Sequence, residues 1–309
     1  MEVYVYTEVF MFVDLLGRTR AKLGLHVHTD LSDGLVSPEE AVRFYIEQGY
    51  DAVALTDHWI YGEEGEVEGL KIISGCEYDV GKSDSANGVY HIVGIGMTSD
   101  PKIPEDWRNM VKTSSSKASE IIKTIKLYNG LAIVAHPAWS LNTPEQLLQL
   151  GDFDGLEIYN SVSEHGMSDR AYSDVIADQL AAHGRLTNLL ATDDAHYYDG
   201  DQCRAAIMVE TTDMDTQGLV RAIRAGRFYA TQGPEVHIEK IAPDKVKVIC
   251  SPCSKIVFQS NCVWSQGRVV RGEQVIEAEY VKYGSDRFVR AEVTDAEGKK
   301  AWTNYVTFD

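Results

Sequence analysis

Short apolar runs and helical patterns alternate through the first three quarters of the chain. The clearest helix begins after Ser37, with Pro38 at its first position and Glu40 three residues after Ser37. Further helices are expected near 103–128, 143–150, 168–183 and 215–225, and apolar runs predict strands near 23–27, 52–55, 70–74, 91–96, 131–135, 155–159, 186–191 and 205–209. This alternation is typical of a mainly parallel α/β sheet or barrel.

The pattern changes after Gly233-Pro234. From residue 236 to residue 308 the sequence shows short β-type segments separated by turn residues, with no helical period. We therefore expect a barrel domain over residues 1–234 and a small all-β domain over residues 235–309. Alternating apolar and polar residues over 2–13 predict one more strand near the start of the chain.

Composition narrows the classes of function. The chain has 309 residues and is 44% hydrophobic, which suffices for one large domain and a small one. No stretch approaches the roughly 20 apolar residues of a membrane helix. The five cysteines are scattered and odd in number, and no signal peptide is recognisable, so we expect a cytoplasmic protein without membrane contact. Cys250-Ser-Pro-Cys253 has redox or zinc-knuckle spacing, but no second pair follows it.

The formal charge of −18 bears on the partners. Affinity for nucleic acid depends on neutralising phosphates, so we expect no stable nucleic-acid complex. A small phosphorylated substrate is compatible with this charge, because bound divalent cations offset part of it.

Most histidines and several carboxylates fall beside the predicted strands. His26 and His28 stand two apart at a strand end, which places both imidazoles on one face. In barrels and open α/β sheets, the carboxyl ends of parallel strands build the active site. The other residues expected near such ends are Asp33, Asp57, His58, Glu77, His136, Asp193, Asp194 and His196, while His91 begins a strand.

These residue types indicate a metal centre. Neutral imidazole and carboxylate suit Zn, Mn or Fe, and two ions about 3.5–4 Å apart can clamp both oxygens of a displacement. A lone buried histidine is usually a core residue, and an aspartate at a strand end is often a helix cap. Yet six of the nine histidines fall at predicted strand ends or starts, and independent core residues would not cluster in this way.

The motifs together resemble those of the polymerase and histidinol phosphatase (PHP) family. They are His26-Val-His28-Thr-x-x-Ser-Asp33-Gly, Thr-Asp-His58, Gly-x-Glu77, His91, His136-Pro and Asp194-Ala-His196, in order within residues 22–234. The resemblance implies a distorted seven-stranded, TIM-like βα barrel with about two to three divalent ions of Zn, Mn or Fe. It also implies an enzyme, a metal-dependent phosphoesterase. The tail resembles that of a sub-branch which includes a carbamate-pesticide hydrolase.

The resemblance also implies a division of the ligands. His26, His28, Glu77 and Asp194 would bind the first ion. Glu77, His91 and His136 would bind the second, and Asp33, His58 and His196 the third. Glu77, Asp194 and His196 are the predicted catalytic residues. Asp193 and Asp57 are candidates to orient ligands, although Asp57 is equally a candidate helix cap.

Substrate contacts are less defined by the sequence. His165, Arg170, Arg204 and Arg227 are candidates to hold a phosphate or carboxylate, although a surface salt bridge is the commoner role of such side chains. The expected reaction is hydrolysis of small phosphate esters, either monoesters resembling nucleotide or sugar phosphates or compact diesters, by a hydroxide that bridges the ions. Three alternatives stay open: hydrolysis of carbamates, amides or esters, 5′–3′ exonuclease activity on single-stranded ends, and metal binding without turnover.

Overall fold

The computed structural model describes residues 11–82 and 88–308. Most of the strand predicted over residues 2–13 lies outside this part, and its last two residues form β1, Phe12–Val13. No helix among the described residues is long and apolar enough to cross a membrane.

Five α-helices are present in the described residues. They are α1 (Pro38–Glu47), α2 (Ser114–Leu127), α3 (Pro144–Leu148), α4 (Asp174–Ala182) and α5 (Thr216–Arg224). Helix α1 begins as predicted, because Ser37 Oγ accepts a hydrogen bond from Glu40 N while the Glu40 carboxylate accepts one from Ser37 N. The helix expected over 103–128 is broken: two 3₁₀ turns, Glu105–Asn109 and Val111–Thr113, precede α2.

The strands before the tail correspond broadly to the predicted ones. They are β2 (Thr19–Gly24), β3 (Ala52–Ala54), β4 (Gly65–Val67), β5 (Leu70–Ile73), β6 (Gly75–Gly81), β7 (Val89–Ile95), β8 (Leu131–Val134), β9 (Gly155–Asn160), β10 (Asn188–Thr192), β11 (Ala206–Glu210) and β12 (Phe228–Thr231). The tail is all β in its described residues, as expected. It consists of β13 (Val236–Ala242), β14 (Lys245–Ser260), β15 (Val269–Val281), β16 (Phe288–Thr294), β17 (Lys300–Thr303) and β18 (Val306–Thr307).

These strands form two sheets. The smaller has the order β10-β9-β8-β7-β6, and the larger runs β13-β14-β16-β17-β12-β11-β2-β3-β5-β4, with β1, β15 and β18 attached to β2, β14 and β16. Strands β8, β9 and β10 are mutually parallel, as are β2, β3 and β5. Strand β7 is antiparallel to both β6 and β8, so the expectation of a mainly parallel sheet is only partly met. The link between β6 and β7 is too short for the crossover that parallel strands need.

No closed sheet is found among the described strands, so the expected seven-stranded barrel is not seen as a continuous ladder. Two isolated bridges, Val27–Ala195 and His58–Glu77, lie between the sheets. Both bridges involve segments that carry predicted metal ligands, so the two sheets meet at the candidate site.

The tail is tied closely to the rest of the chain. Strand β17 pairs with β12, and Trp302 of β17 is fully buried in the main hydrophobic core. Arg290 of β16 donates two hydrogen bonds, of 2.7 and 2.8 Å, to the Asp178 carboxylate on α4. The tail strands therefore extend the larger sheet instead of forming a sheet of their own.

Candidate metal centre

The predicted ligands converge from both sheets. His26 and His28 follow β2, His58 follows β3, His136 follows β8, and Asp194 and His196 follow β10. Glu77 and His91 differ from the prediction, because they lie inside the antiparallel strands β6 and β7 and not at strand ends. Side chains two apart share a strand face, so Glu77 and Asp79 of β6 point to the same side.

The first predicted ligand set is brought together. Nε2 of His26 and Nε2 of His28 are 3.1 Å apart, and each lies 3.1 Å from Asp194 Oδ1. Oε2 of Glu77 lies 3.2 Å from the first imidazole nitrogen and 3.0 Å from the second. All four side chains are buried.

The other two sets differ in detail from the predicted division. Oδ1 of Asp33 lies 3.4 Å from both His28 Nδ1 and His196 Nε2, and its Oδ2 lies 3.7 Å from His58 Nε2. His28 thus joins the predicted third set.

Glu77 is shared with the remaining set. Its Oε1 lies 2.8 Å from His91 Nδ1 and 3.5 Å from His136 Nε2, as the predicted second set requires. His58 Nδ1 also approaches Glu77, at 3.4 Å from Oε2. The ligand atoms of His58, Glu77 and His91 all lie within 4.8 Å of one another.

Two buried polar atoms of this cluster show that a cation fits it. Asp194 Oδ1 and His58 Nδ1 make no hydrogen bond within the described residues, although charged partners lie close by. Buried polar atoms are normally satisfied, so such exceptions need an explanation. Imidazole nitrogens and carboxylate oxygens that converge without hydrogen-bond geometry form a donor set for a divalent metal ion.

The electrostatics of the cluster agree with this assignment. Burial opposes ionisation of Glu77, but the imidazoles of His58 and His26 hold the pKa of its carboxyl well below the usual range. Burial also opposes protonation of His28, yet the neighbouring carboxylates of Asp194, Asp33 and Glu77 raise its pKa well above the usual value. Metal ligation requires unprotonated imidazole nitrogens, so a divalent cation bound here would displace any protons on them.

Three buried carboxylates position the ligands or their loops. Glu157 of β9, which was not predicted from the sequence, accepts hydrogen bonds from His26 Nδ1 at 2.6 Å and from the His136 amide at 2.8 Å. Asp57 accepts from the amide and hydroxyl of Thr29 and so fixes the loop that carries Asp33. Asp193 accepts from the Tyr45 hydroxyl and from the amides of residues 203–205, so it anchors the chain beyond His196. The available signal for Glu157 was a charged residue within an otherwise apolar strand.

The backbone is unusual at the site. His136 and Asp194 have φ angles of 28° and 53°, and Trp59, next to His58, has 59°. Positive φ at non-glycine residues costs about 1–3 kcal/mol and is concentrated at functional sites. Gly34 allows a close approach, because a Cβ there would lie 2.7 Å from the carbonyl carbon and oxygen of His28.

The cluster opens into a cavity of about 200 Å³. Besides the predicted ligands, this cavity is lined by Asp79, Arg108, Trp139 and Met167, none of which was predicted from the sequence. Trp139 packs edge-on against the rings of His91 and His136, at centroid distances of 5.7 and 4.9 Å. The cavity therefore has an aromatic wall beside the second ligand set.

None of the predicted substrate-binding residues lines this cavity. His165 lies on a π-helical turn, Ser163–Met167, with its Nε2 3.6 Å from Asp199 Oδ1, and Arg170 is exposed. Arg204 and Arg227 line two other cavities.

Arg227 lies away from the predicted ligands for a topological reason. Strand β11 runs antiparallel to β2, and Glu210 at the end of β11 pairs with Arg20 near the start of β2. The Glu210 amide donates to the carbonyl of Arg227, which therefore lies at the opposite end of β2 from His26.

A further acidic cluster does not fit a metal. Ligand atoms of Asp14, Glu235 and His237 lie within 4.8 Å of one another. However, Arg20 Nε donates to Asp14 Oδ2 at 2.6 Å, and His237 Nε2 lies 2.6 Å from Glu235 Oε1. The guanidinium already supplies the positive charge, so this group is an ion-pair network.

A family model for the PHP domain matches residues 24–198, which is more than half of the chain and includes every predicted ligand. The chain belongs to the PHP domain family. The predicted resemblance and the prediction that this PHP protein is an enzyme are thereby confirmed. No curated protein matches its sequence.

Solved structures resemble this PHP protein in fold. A two-domain protein from Bacteroides vulgatus, described as containing a predicted PHP-like metal-dependent phosphoesterase, is 16% identical with a TM-score of 0.51, and the match covers 96% of this chain and 98% of that one. An amidohydrolase from Chromobacterium violaceum, solved with sulfate and no metal, is 17% identical with a TM-score of 0.41, covering 67% and 97%. At these identities, only the first likeness bears on the fold, and neither decides the substrate.

Proposed function

We propose that this PHP protein hydrolyses small phosphate esters, such as monoesters resembling nucleotide or sugar phosphates or compact diesters, at a centre of about two to three divalent ions. The observation that carries the proposal is the buried His, Asp and Glu cluster. It holds ligand atoms without hydrogen-bond partners among the described residues, and several of its side chains line a cavity of about 200 Å³. A cavity of this size admits a compact group such as a phosphate.

Hydrogen bonds hold two of the imidazoles, those of His26 and His196, in the tautomer that a cation requires. His26 Nδ1 donates to Glu157, and His196 Nδ1 donates to the Asp194 carbonyl at 2.6 Å, which leaves both Nε2 atoms free as lone-pair donors. Glu77 contacts members of both the first and the second ligand set, so it would bind two ions. Bound divalent ions would supply Lewis acidity and lower the pKa of water towards about 7. Asp194 would bind the first ion together with His26 and His28. His196 would bind the third ion together with Asp33.

Charge supports a small substrate over a polymer. The formal net charge of −18 disfavours long polyanions, whereas a single phosphate can be drawn to the divalent ions. The scattered, odd-numbered cysteines support a cytoplasmic location as part of the same proposal.

We also propose that the fold is the distorted seven-stranded barrel of the family, with domains at 1–234 and 235–309. The isolated bridges support this, because they would complete a circuit through β2, β3, β6, β7, β8, β9 and β10. The two-domain fold of the Bacteroides vulgatus protein supports the division.

The test is a substrate panel with the purified protein, stripped by a chelator and reloaded with Mn, Zn or Fe. The panel contains nucleoside monophosphates, sugar phosphates, a cyclic phosphodiester, a carbamate, an amide and an end-labelled single-stranded oligonucleotide. We expect metal-dependent phosphate release, fastest on the small esters. Faster turnover of the carbamate or amide, or processive degradation of the oligonucleotide, would overturn the proposal.

A further inference from the structure

Arg108 is the arginine that lines the cavity of the candidate metal centre, called the metal cavity below. The described residues that line this cavity include the carboxylates of Asp33, Glu77, Asp79 and Asp194, and Arg108 is the one lysine or arginine among them. An anionic substrate that enters would meet these four carboxylates. The arginine is therefore the side chain that favours such a substrate independently of the metal.

The guanidinium is held in place from one side. Arg108 lies on the 3₁₀ turn Glu105–Asn109, and its Nε donates a 2.8 Å hydrogen bond to Asp79 Oδ2. The other oxygen of Asp79 accepts from Trp59 Nε1 at 2.9 Å and lies 3.0 Å from His58 Nδ1. Asp79 thus fixes the arginine relative to a metal ligand.

The other side of the guanidinium is available. Among the described residues, neither Nη1 nor Nη2 of Arg108 has a hydrogen-bond partner, and its side chain is 40% exposed. A guanidinium carries five N–H donors in a planar fork that matches two oxygens of a phosphate. Anchoring through Nε leaves the two terminal amino groups for a ligand in the cavity.

We propose that Arg108 binds the phosphate group of the substrate, and that Asp79 is the positioning residue that aims it. This inference rests on the proposed function and names its recognition residue. It replaces Arg204 and Arg227, which line other cavities, with an arginine on the wall of the metal cavity.

The experiment compares Arg108→Ala, Arg108→Lys and Asp79→Asn with Arg221→Ala. Arg221 is a matched control, since it is 61% exposed and paired with Asp213 on the surface near α5. Metal content, the Kd of inorganic phosphate for the metal-loaded protein, and KM and kcat on a phosphomonoester are measured for each variant.

We expect Arg108→Ala to weaken phosphate binding by about 10- to 100-fold, as for a charge-assisted hydrogen bond, with metal content retained. KM should rise more than kcat falls, and lysine should restore part of the affinity because it keeps the charge without the fork. Asp79→Asn should also weaken phosphate binding, and combining it with Arg108→Ala should add little, because Asp79 acts through the arginine. Arg221→Ala should match the wild type.

An unchanged phosphate Kd in Arg108→Ala, or loss of its metal, would overturn the inference. Additive effects in the double variant would overturn the role of Asp79. The two proposals fail separately. If the wild type hydrolyses no phosphate ester but loses phosphate affinity on Arg108→Ala, only the proposed function fails. If it hydrolyses esters and Arg108→Ala does so with unchanged KM, only the inference about Arg108 fails.

Discussion

The environment of each ligand differs although the residue types repeat. Glu77 is almost fully buried and approaches the imidazoles of five histidines, whereas the side chain of Asp33 is 55% exposed. A buried carboxylate that several ligand groups share is hard to replace. A half-exposed one at the rim can be replaced without disturbing the groups beneath it.

Glu77→Gln should therefore lose most of the bound metal, because a neutral amide would face several imidazole nitrogens. Asp33→Asn should keep the ions of the two sets built on Glu77, and weaken only the set that Asp33 shares with His58 and His196. Metal equivalents per chain, measured by elemental analysis, check this prediction. Equal metal loss in both variants would contradict the division of ligands.

Glu157 has a different role, since it hydrogen-bonds to the predicted metal ligand His26 and does not line the cavity. Glu157→Gln would turn an amide N–H towards either His26 Nδ1 or the His136 amide, both of which donate. We expect metal affinity to fall by about 10- to 100-fold, as for other partners that orient metal ligands.

The matched control for Glu157 is Glu292→Gln. Glu292 is also a buried glutamate within a strand, but it accepts from Trp302 Nε1 in the tail. This variant should lose stability without losing metal affinity. A titration with a competing chelator would measure the metal affinity of both variants. Equal metal affinities would refute the orienting role of Glu157.

At the scale of elements, strand direction decides which residues reach the site. Because β6 and β7 are antiparallel neighbours, Glu77 and His91 can approach from inside two strands, at 2.8 Å, without a strand end. The antiparallel pairing of β11 with β2 and β12 has the opposite effect, since the connection from β11 through α5 places Arg227 at the far end of β2.

The contact between α4 and β16 gives a prediction at the same scale. Arg290→Ala would leave the mostly buried Asp178 carboxylate without its bidentate partner, and should lower the free energy of unfolding by about 3–5 kcal/mol. Arg221→Ala, which removes an exposed pair, should cost less than about 1 kcal/mol. Urea denaturation compares the two, and equal midpoints would contradict the structural role of Arg290.

In the whole molecule, the tail completes the core of the preceding region. Trp302 belongs to the same buried cluster as Leu23, Ile133 and Leu189 from the two sheets. Removing the tail would expose this core and the edge of β12, to which β17 pairs.

Trp302→Ala should therefore destabilise the protein by about 3–5 kcal/mol, as expected for a fully buried aromatic side chain. Trp264→Ala is the control, because that side chain is 66% exposed, and its unfolding midpoint should stay near that of the wild type. A chain ending after Pro234 should not fold stably. A soluble, cooperatively unfolding fragment 1–234 would show that the tail is dispensable.

The sequence by itself determined the family and the all-β tail, and it predicted the side chains that the structure brings together in the candidate metal centre. His26, His28 and His58 could be predicted because they follow successive apolar runs. Packing alone does not place imidazoles at several strand ends, whereas a metal centre does. The capped start of α1 was also predictable, since Ser37 and Glu40 satisfy backbone groups only a few residues away.

Only the tertiary structure decided how the cluster is shared and what surrounds it. Arg108 reaches the cavity through Asp79, which is 29 residues away in the chain, and Glu157 reaches His26 across 131 residues. Such contacts depend on strand direction and on how the two sheets meet, and local periodicity carries no information about either. Arg108, Arg204 and Arg227 look alike in the sequence, and the fold alone places the first beside the predicted metal ligands and the other two in separate cavities.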